Sequence, residues 1–170
     1  TAAITITWDS RTATGSFSIP ANSTVSFRTA SGTTVPVGSG LYFKGSDIFW
    51  GVGSNNLAGV NTGYHEWGFS LLPSTMLYTE HFLGWAPGYD QTAGAQPAAE
   101  WDNMGIFITP AQDNTRIFVD FNNDGTADQT FTLDRLQTQY VYDTVDGNLS
   151  QAHIWATGNF SMVYGENSDL

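Results

Sequence analysis

The sequence predicts an all-β fold, an antiparallel β-sandwich of about a dozen short strands with little or no helix. Alternation of apolar and polar residues with a period of two recurs along most of the chain, the pattern of strands with one buried face. Gly, Asn, Asp and Pro separate these runs at the spacing of a sandwich or barrel. Helical periodicity is nearly absent, and the best candidate, Ser74 to Phe82, is short and mixed enough to predict one helical turn.

The runs follow in order. Ile4, Ile6 and Trp8 alternate with Thr5 and Thr7, Phe17 and Ile19 with Ser16 and Ser18, and Val25 and Phe27 with Thr24, Ser26 and Arg28. Ile48 and Trp50 stand near Gly51 and Gly53, and His65, Trp67, Phe69 and Leu71 alternate with Tyr64, Glu66, Gly68 and Ser70. Ile106 and Ile108 come next, then a hairpin, then Gln139 to Tyr142, Ala152 to Thr157 and Phe160 to Tyr164. In the hairpin Ile117, Val119 and Phe121 oppose Arg116, Phe118 and Asp120, and Phe131 and Leu133 oppose Thr130, Thr132 and Asp134. Asn123-Asp124-Gly125 supplies the reversal, since Gly accepts positive φ freely and Asn and Asp tolerate it. The long stretch from Ala86 to Glu100 holds Pro87, Gly88, Gly94 and Pro97. That composition and length predict a binding loop or covering flap.

With 170 residues the chain is expected to form a single domain over 1–170, long enough to bury a core without covalent staples. It has no cysteine, which excludes disulfides, thiolate metal sites and thiol catalysis. Sixteen acidic residues stand against five basic ones, a net charge of −11, so a nucleic-acid backbone would meet repulsion. Charged residues make up only 12% of the chain while Thr, Ser, Asn and Gly abound. That surface fits an extracellular, cell-surface or secreted protein better than a cytosolic enzyme. No window reaches the roughly 20 apolar residues of a membrane helix, and membrane insertion is not expected. Thr1 leads directly into strand-like sequence, as it would after signal-peptide removal or in a piece of a longer protein.

Asp120, Asn122, Asp124 and Asp128 alternate around Gly125 like the opening of a Ca²⁺ loop, which gathers six to eight hard oxygen donors. The position of the closing bidentate Glu holds Phe131. A bare turn and a structural Ca²⁺ site both remain open, and no other cofactor is required. Asp143 and Asp146-Gly147-Asn148 make a second acidic turn, read as a strand connection. His65, His81 and His153 lack metal-ligand spacing. Glu66, Glu80 and Glu100 could make the carboxylate pair of a glycosidase if the fold brought them together, a third reading that no motif supports, and neither a nucleophile elbow nor a phosphate-binding loop occurs. The expectation is a protein that is not an enzyme.

Of the six tryptophans, Trp8 and Trp67 fall in line with apolar neighbours and read as core. Trp155 is out of phase with Ala152, Ile154 and Ala156, while Trp85 and Trp101 bracket the long loop. An alternative reading makes these three the stacking platforms of a carbohydrate-binding module with a glycan partner. Asn22, Asn148 and Asn159 open N-glycosylation triplets of the kind that chance supplies in a chain this rich in Asn, Ser and Thr.

Several stretches together resemble a known group: Tyr64 to Pro73 (YHEWGFSLLP), Gly84 to Gly88 (GWAPG), Ile108 to Thr115 (ITPAQDNT), Val119 to Gly125 (VDFNNDG), Thr132 to Gln137 (TLDRLQ) and Ala152 to Gly158 (AHIWATG). They resemble modules of large bacterial surface proteins related to the N-terminal domain of IgGFc-binding protein, over most of the chain from about Pro36 onward. The resemblance implies an extracellular β-sandwich within long secreted or wall-attached chains, with adhesive or structural duties and no enzymatic activity. Where relatives often carry Gly before the last motif and Pro after it, this chain has Gln151 and Asn159. No site residue is carried over. The expected role is an adhesive or structural module, or the repeating subunit of a surface fibre. Ala3 to Trp8 and Phe160 to Tyr164 are its expected open edges for self-association or for neighbouring modules.

Overall fold

The computed structural model describes residues 2–27, 35–36, 38–55, 67–87 and 104–166, and the architecture over these residues is all-β and antiparallel. Eleven strands are described: β1 (Ile4–Asp9), β2 (Thr14–Ile19), β3 (Tyr42–Gly45), β4 (Val52–Asn55), β5 (Trp67–Ser70), β6 (Tyr78–Phe82), β7 (Met104–Pro110), β8 (Thr115–Asp120), β9 (Gln129–Leu133), β10 (Gln139–Val141) and β11 (His153–Glu166). They form a three-stranded sheet β2-β1-β3, a β4-β5 hairpin and a six-stranded sheet that curls toward closure.

The six-stranded sheet is organised by β11. Its first half pairs with β6 on one side, through His153 opposite Phe82, and with β8 on the other, through His153 opposite Asp120. Its second half pairs with β7, from Phe160 opposite Pro110 to Glu166 opposite Met104. Phe160 also faces Tyr78 of β6, so β7 and β8 follow one another along the same side of β11. β10 then adds to β7 and β9 to β8.

The apolar alternation sets the core. Ile106 and Ile108 of β7, Ile117 and Val119 of β8, Leu133 of β9, Val141 of β10 and Ile154 and Phe160 of β11 cluster on the inner face. Leu149 and Ala152 join them, as does Ala86. Ala86 is fixed by its N–H donating to Ser150 Oγ (3.0 Å) and its carbonyl accepting from Leu149 N (2.9 Å). The small sheet has its own apolar face, on which Ile6 and Trp8 are buried. There the Phe27 ring lies 5.4 Å from Trp8, 5.5 Å from Phe17 and 5.2 Å from Phe43.

Several expectations are corrected by packing. The run around Val25 and Phe27 is not a strand over its described residues, and Phe27 packs onto three rings of the small sheet; Arg28 lies outside the described residues. Ile48 and Trp50 precede β4 rather than forming a strand, and both are largely exposed. Ser74 to Phe82 divides into a single 3₁₀ turn, Ser74–Met76, and strand β6. β3 has four residues, too few to display a period in the sequence. The N-terminal strand is no open edge, since β1 lies between β2 and β3. From Ser161 onward β11 pairs with β7 on one side. His65, Glu66 and residues 88–100 of the long loop lie outside the described residues, as does the side chain of Trp67.

The two separate runs expected at Ala152 to Thr157 and Phe160 to Tyr164 belong, from His153 onward, to one 14-residue strand that continues through Gly158-Asn159. The pairing shifts register between Trp155 and Phe160, which marks a bulge rather than a chain reversal. Gly158 is buried there. A Cβ on it would stand 2.8 Å from Gln112 Oε1 and 3.1 Å from Thr115 Oγ1. The missing side chain lets the β7–β8 junction lie against β11. Gln112 is exposed and can swing its amide away, whereas Thr115 is buried. Gly158→Ala is therefore expected to cost about 1 kcal/mol or less, the crowding of Thr115 set against the lost freedom of the unfolded glycine. The readout is a slightly lower urea midpoint with unchanged slope; a raised midpoint would mean that the junction yields freely.

Candidate functional site

The acidic loop between β8 and β9 is built from side chains that accept backbone N–H groups. Asp120 is fully buried, and its two carboxylate oxygens accept from Asp124 N (3.2 Å) and Gly125 N (2.8 Å). Asn122 Oδ1 accepts from Asp124 N (3.1 Å), Asp124 Oδ1 from Thr126 N (2.8 Å) and Asp128 Oδ2 from Phe121 N (2.7 Å). Asn123 and Gly125 take positive φ, 57° and 90°, as the turn chemistry requires. Self-capping thus explains why these residue types stand here and why a carboxylate on the polar register of β8 is buried. Carboxylate oxygens have further lone pairs, yet among the described residues no three His, Asp or Glu side chains converge in a metal-holding group.

The second acidic turn, between β10 and β11, is held in the same way. Val145 N donates to Asp143 Oδ1 (2.7 Å), Asn148 N to Asp146 Oδ1 (2.8 Å) and Ser150 N to Asn148 Oδ1 (2.9 Å). The sequence did not reveal that the two turns feel each other. Partial burial raises the Asp143 carboxyl above its ordinary value of 3.8, and Asp146 and Asp128 push it the same way against the pull of the Val145 N–H.

A row of rings crosses the outer face of β6, β11 and β8. Phe82 stacks on His153 (4.2 Å between centroids, 4° between planes), His153 on Trp155 (4.7 Å, 29°) and Trp155 on Phe118 (5.3 Å, 6°). The Arg116 guanidinium sits 4.9 Å from the Phe118 ring centre, a cation–π distance. His153 Nε2 lies 2.8 Å from Glu80 Oε1, tying β11 to β6. These contacts follow from strand register, which puts Phe82 opposite His153 and Phe118 opposite Trp155. No sequence spacing announces the row, because its members come from three distant strands.

The row also decides what Trp155 can offer. Two protein rings stack on its indole, so less of its face remains for a sugar than the alternation alone implied. Trp85 is 81% exposed in the bend after β6, whereas Trp101 lies outside the described residues. The structure describes no joint platform of the three. His81 is occupied structurally, its ring 4.7 Å from that of Phe160 and its Nε2 3.4 Å from the Phe160 carbonyl oxygen. Glu66 and Glu100 lie outside the described residues, so no carboxylate pair with Glu80 is described.

Compared with family models, curated proteins and solved structures, the chain matches none. The site must be read from its own geometry.

The raised Asp143 carboxyl gives a signed pH dependence. A group that binds its proton more tightly when folded contributes stability below its unfolded pKa and loses that contribution as pH rises through the folded value. At neutral pH the ionised Asp143 therefore costs stability. Asp143→Asn, which retains the acceptor for Val145 N–H, should raise the thermal midpoint at pH 7, and the gain should vanish well below the ordinary 3.8. A variant that melts lower than wild type at pH 7 would contradict this cost of burial and of repulsion by Asp146 and Asp128.

Proposed function

We propose that this chain is an extracellular structural or adhesive β-domain, a module of a long surface protein or the repeating subunit of a fibre joined through strand edges. The observation that carries this reading is β6. Among the described strands it pairs only with β11, and it leaves Tyr78 and Phe82 about 60% exposed. An edge strand bearing exposed aromatic side chains is a ready template for a strand from another chain. The strand-only architecture and the resemblance to surface-protein modules support the same role, which requires no catalysis.

The assembly version has a direct test. Negative-stain microscopy of the purified native material should show filaments or particles with an axial repeat. Tyr78→Lys, which places a charge on the β6 edge, should abolish that repeat while leaving the far-UV circular dichroism intact. Smooth particles in the wild type would eliminate the fibre, and an unaffected repeat in the variant would move the joint away from β6.

Calcium enters this proposal as a brace for the Asp120–Asp128 loop, with no chemistry assigned to it. A native-state ligand at about 100 times its Kd adds about 2.7 kcal/mol. Ca²⁺ should accordingly raise the thermal midpoint and a chelator should lower it. Identical melts would leave the loop closed by its own hydrogen bonds.

A further inference from the structure

We infer that the outward face of the β4–β5 hairpin is a docking surface for a second copy of this chain, joined face to face about a two-fold axis. The hairpin is a sheet of its own, pairing with no other described strand. Its register sets Val52 opposite Ser70 and Asn55 opposite Trp67. Leu71 N donates to the Gly51 carbonyl at 3.0 Å, so the pairing runs one step beyond β4.

Burial alternates along both strands. Gly51, Gly53, Phe69 and Leu71 are half-buried, while Trp50, Val52, Ser54, Ser70 and Leu72 are exposed. On the covered side the glycines leave their space to β5: a Cβ on Gly53 would stand 2.5 Å from Phe69 Cζ, and one on Gly51 2.8 Å from Leu71 Cδ1. Phe69 and Leu71 thus fill that side, and β4 sends its large side chains to the other. Trp50 is 82% exposed, Val52 59% and Leu72 48%, with Ile48 at 95% just before them. A sheet face left to water is ordinarily polar, and the small sheet obeys this rule with Thr5, Thr7, Ser16 and Ser18 on the open side of β1 and β2. In β4 the pattern is inverted.

Charge and area select the occupant. From Ile48 to Thr79 the sequence holds one Asp, Glu, Lys or Arg, which is Glu66, in a molecule of net charge −11. Depletion of charge together with exposed aromatic side chains marks the core of a protein interface. A face built for a basic or acidic partner would carry the complementary ions, whereas a neutral face meets its own copy with no charge left unpaired. Two acidic copies approach at least cost where neither presents charge, since repulsion from groups farther than about 8 Å is largely screened at physiological salt. At roughly 200 Å² for a large side chain laid open, Ile48, Trp50, Val52 and Leu72 leave about 600 Å² in water, the upper end of the largest apolar patch on a monomer. Two such faces pressed together remove about 1,200 Å², where specific interfaces begin. Identical faces pair isologously, which closes the contact at two copies.

This contact uses other residues than the β6 edge, and the test separates the two. The Tyr78→Lys chain, with its β6 edge charged, should still show a monomer–dimer equilibrium in sedimentation velocity over a concentration series. Adding Trp50→Lys or Val52→Lys puts a charge into the face and should raise the dimer dissociation constant at least about tenfold, or 1.4 kcal/mol, with the far-UV circular dichroism unchanged. A Tyr78→Lys chain that stays monomeric at the highest concentration, or a dimer that both added variants form as readily, would overturn the assignment. So would a monomer that floats with neutral phosphatidylcholine vesicles and loses that binding on Trp50→Lys, which would give the face to a lipid surface.

Discussion

The continuity of β11 is the constraint on which the large sheet depends. One strand pairs with β6 and β8 in its first half and with β7 in its second. Among the described strands, β10 and β9 are attached at second hand, through β7 and β8. A slip of one residue in β11 would turn Ile154 and Phe160 outward and bring His153 and Trp155 into the core. Burial of the inner set therefore holds the outer set in register. The aromatic row is a by-product of that register as much as a feature of its own.

The polar chemistry of the chain follows from where strands end. Asp120, Asn122, Asp124 and Asp128, and then Asp143, Asp146 and Asn148, accept backbone N–H groups that a reversing chain cannot pair in a ladder. Short acidic and amide side chains suit that task because they fold back on their own backbone. Much of the negative charge is thus at the turns. The Asp9–Arg135 pair is one of the contacts that span the two larger sheets, together with the bridge between Ser39 and Gln137 and the hydrogen bond from Gly40 N to the Leu136 carbonyl.

The fold class was legible because period-two alternation is a local signal, and β1, β2, β7, β8 and β9 all display it. The β8–β9 hairpin was legible down to its positive-φ residues. The rest was hidden for physical reasons. Phe27 has a strand-like setting, yet among the described residues it pairs with no strand and its ring contacts lie on the small sheet. Gly158 and Asn159 separate two alternating runs in the sequence but lie inside one strand, where the pairing shifts register between Trp155 and Phe160. The ring row was invisible because Phe82, His153 and Phe118 meet only through pairing between distant segments. Of the tryptophans singled out in advance, Trp85 is exposed, Trp155 is stacked among protein rings and Trp101 falls outside the described residues.

The position of β11 along the chain also sets the order in which the molecule can form. Glu80 and His153 are 73 residues apart, and β7 and β8 likewise meet this strand only after the two acidic turns have been made. The ordering entropy of those loops falls due before the contacts that repay it exist. Until β11 docks, the β7–β10 and β8–β9 pairs have no strand to join them, and β6 has no partner among the described strands. The fold is thus one of high contact order whose nascent form presents strand edges to its neighbours. Dense crowding of such chains during synthesis would favour intermolecular pairing over closure.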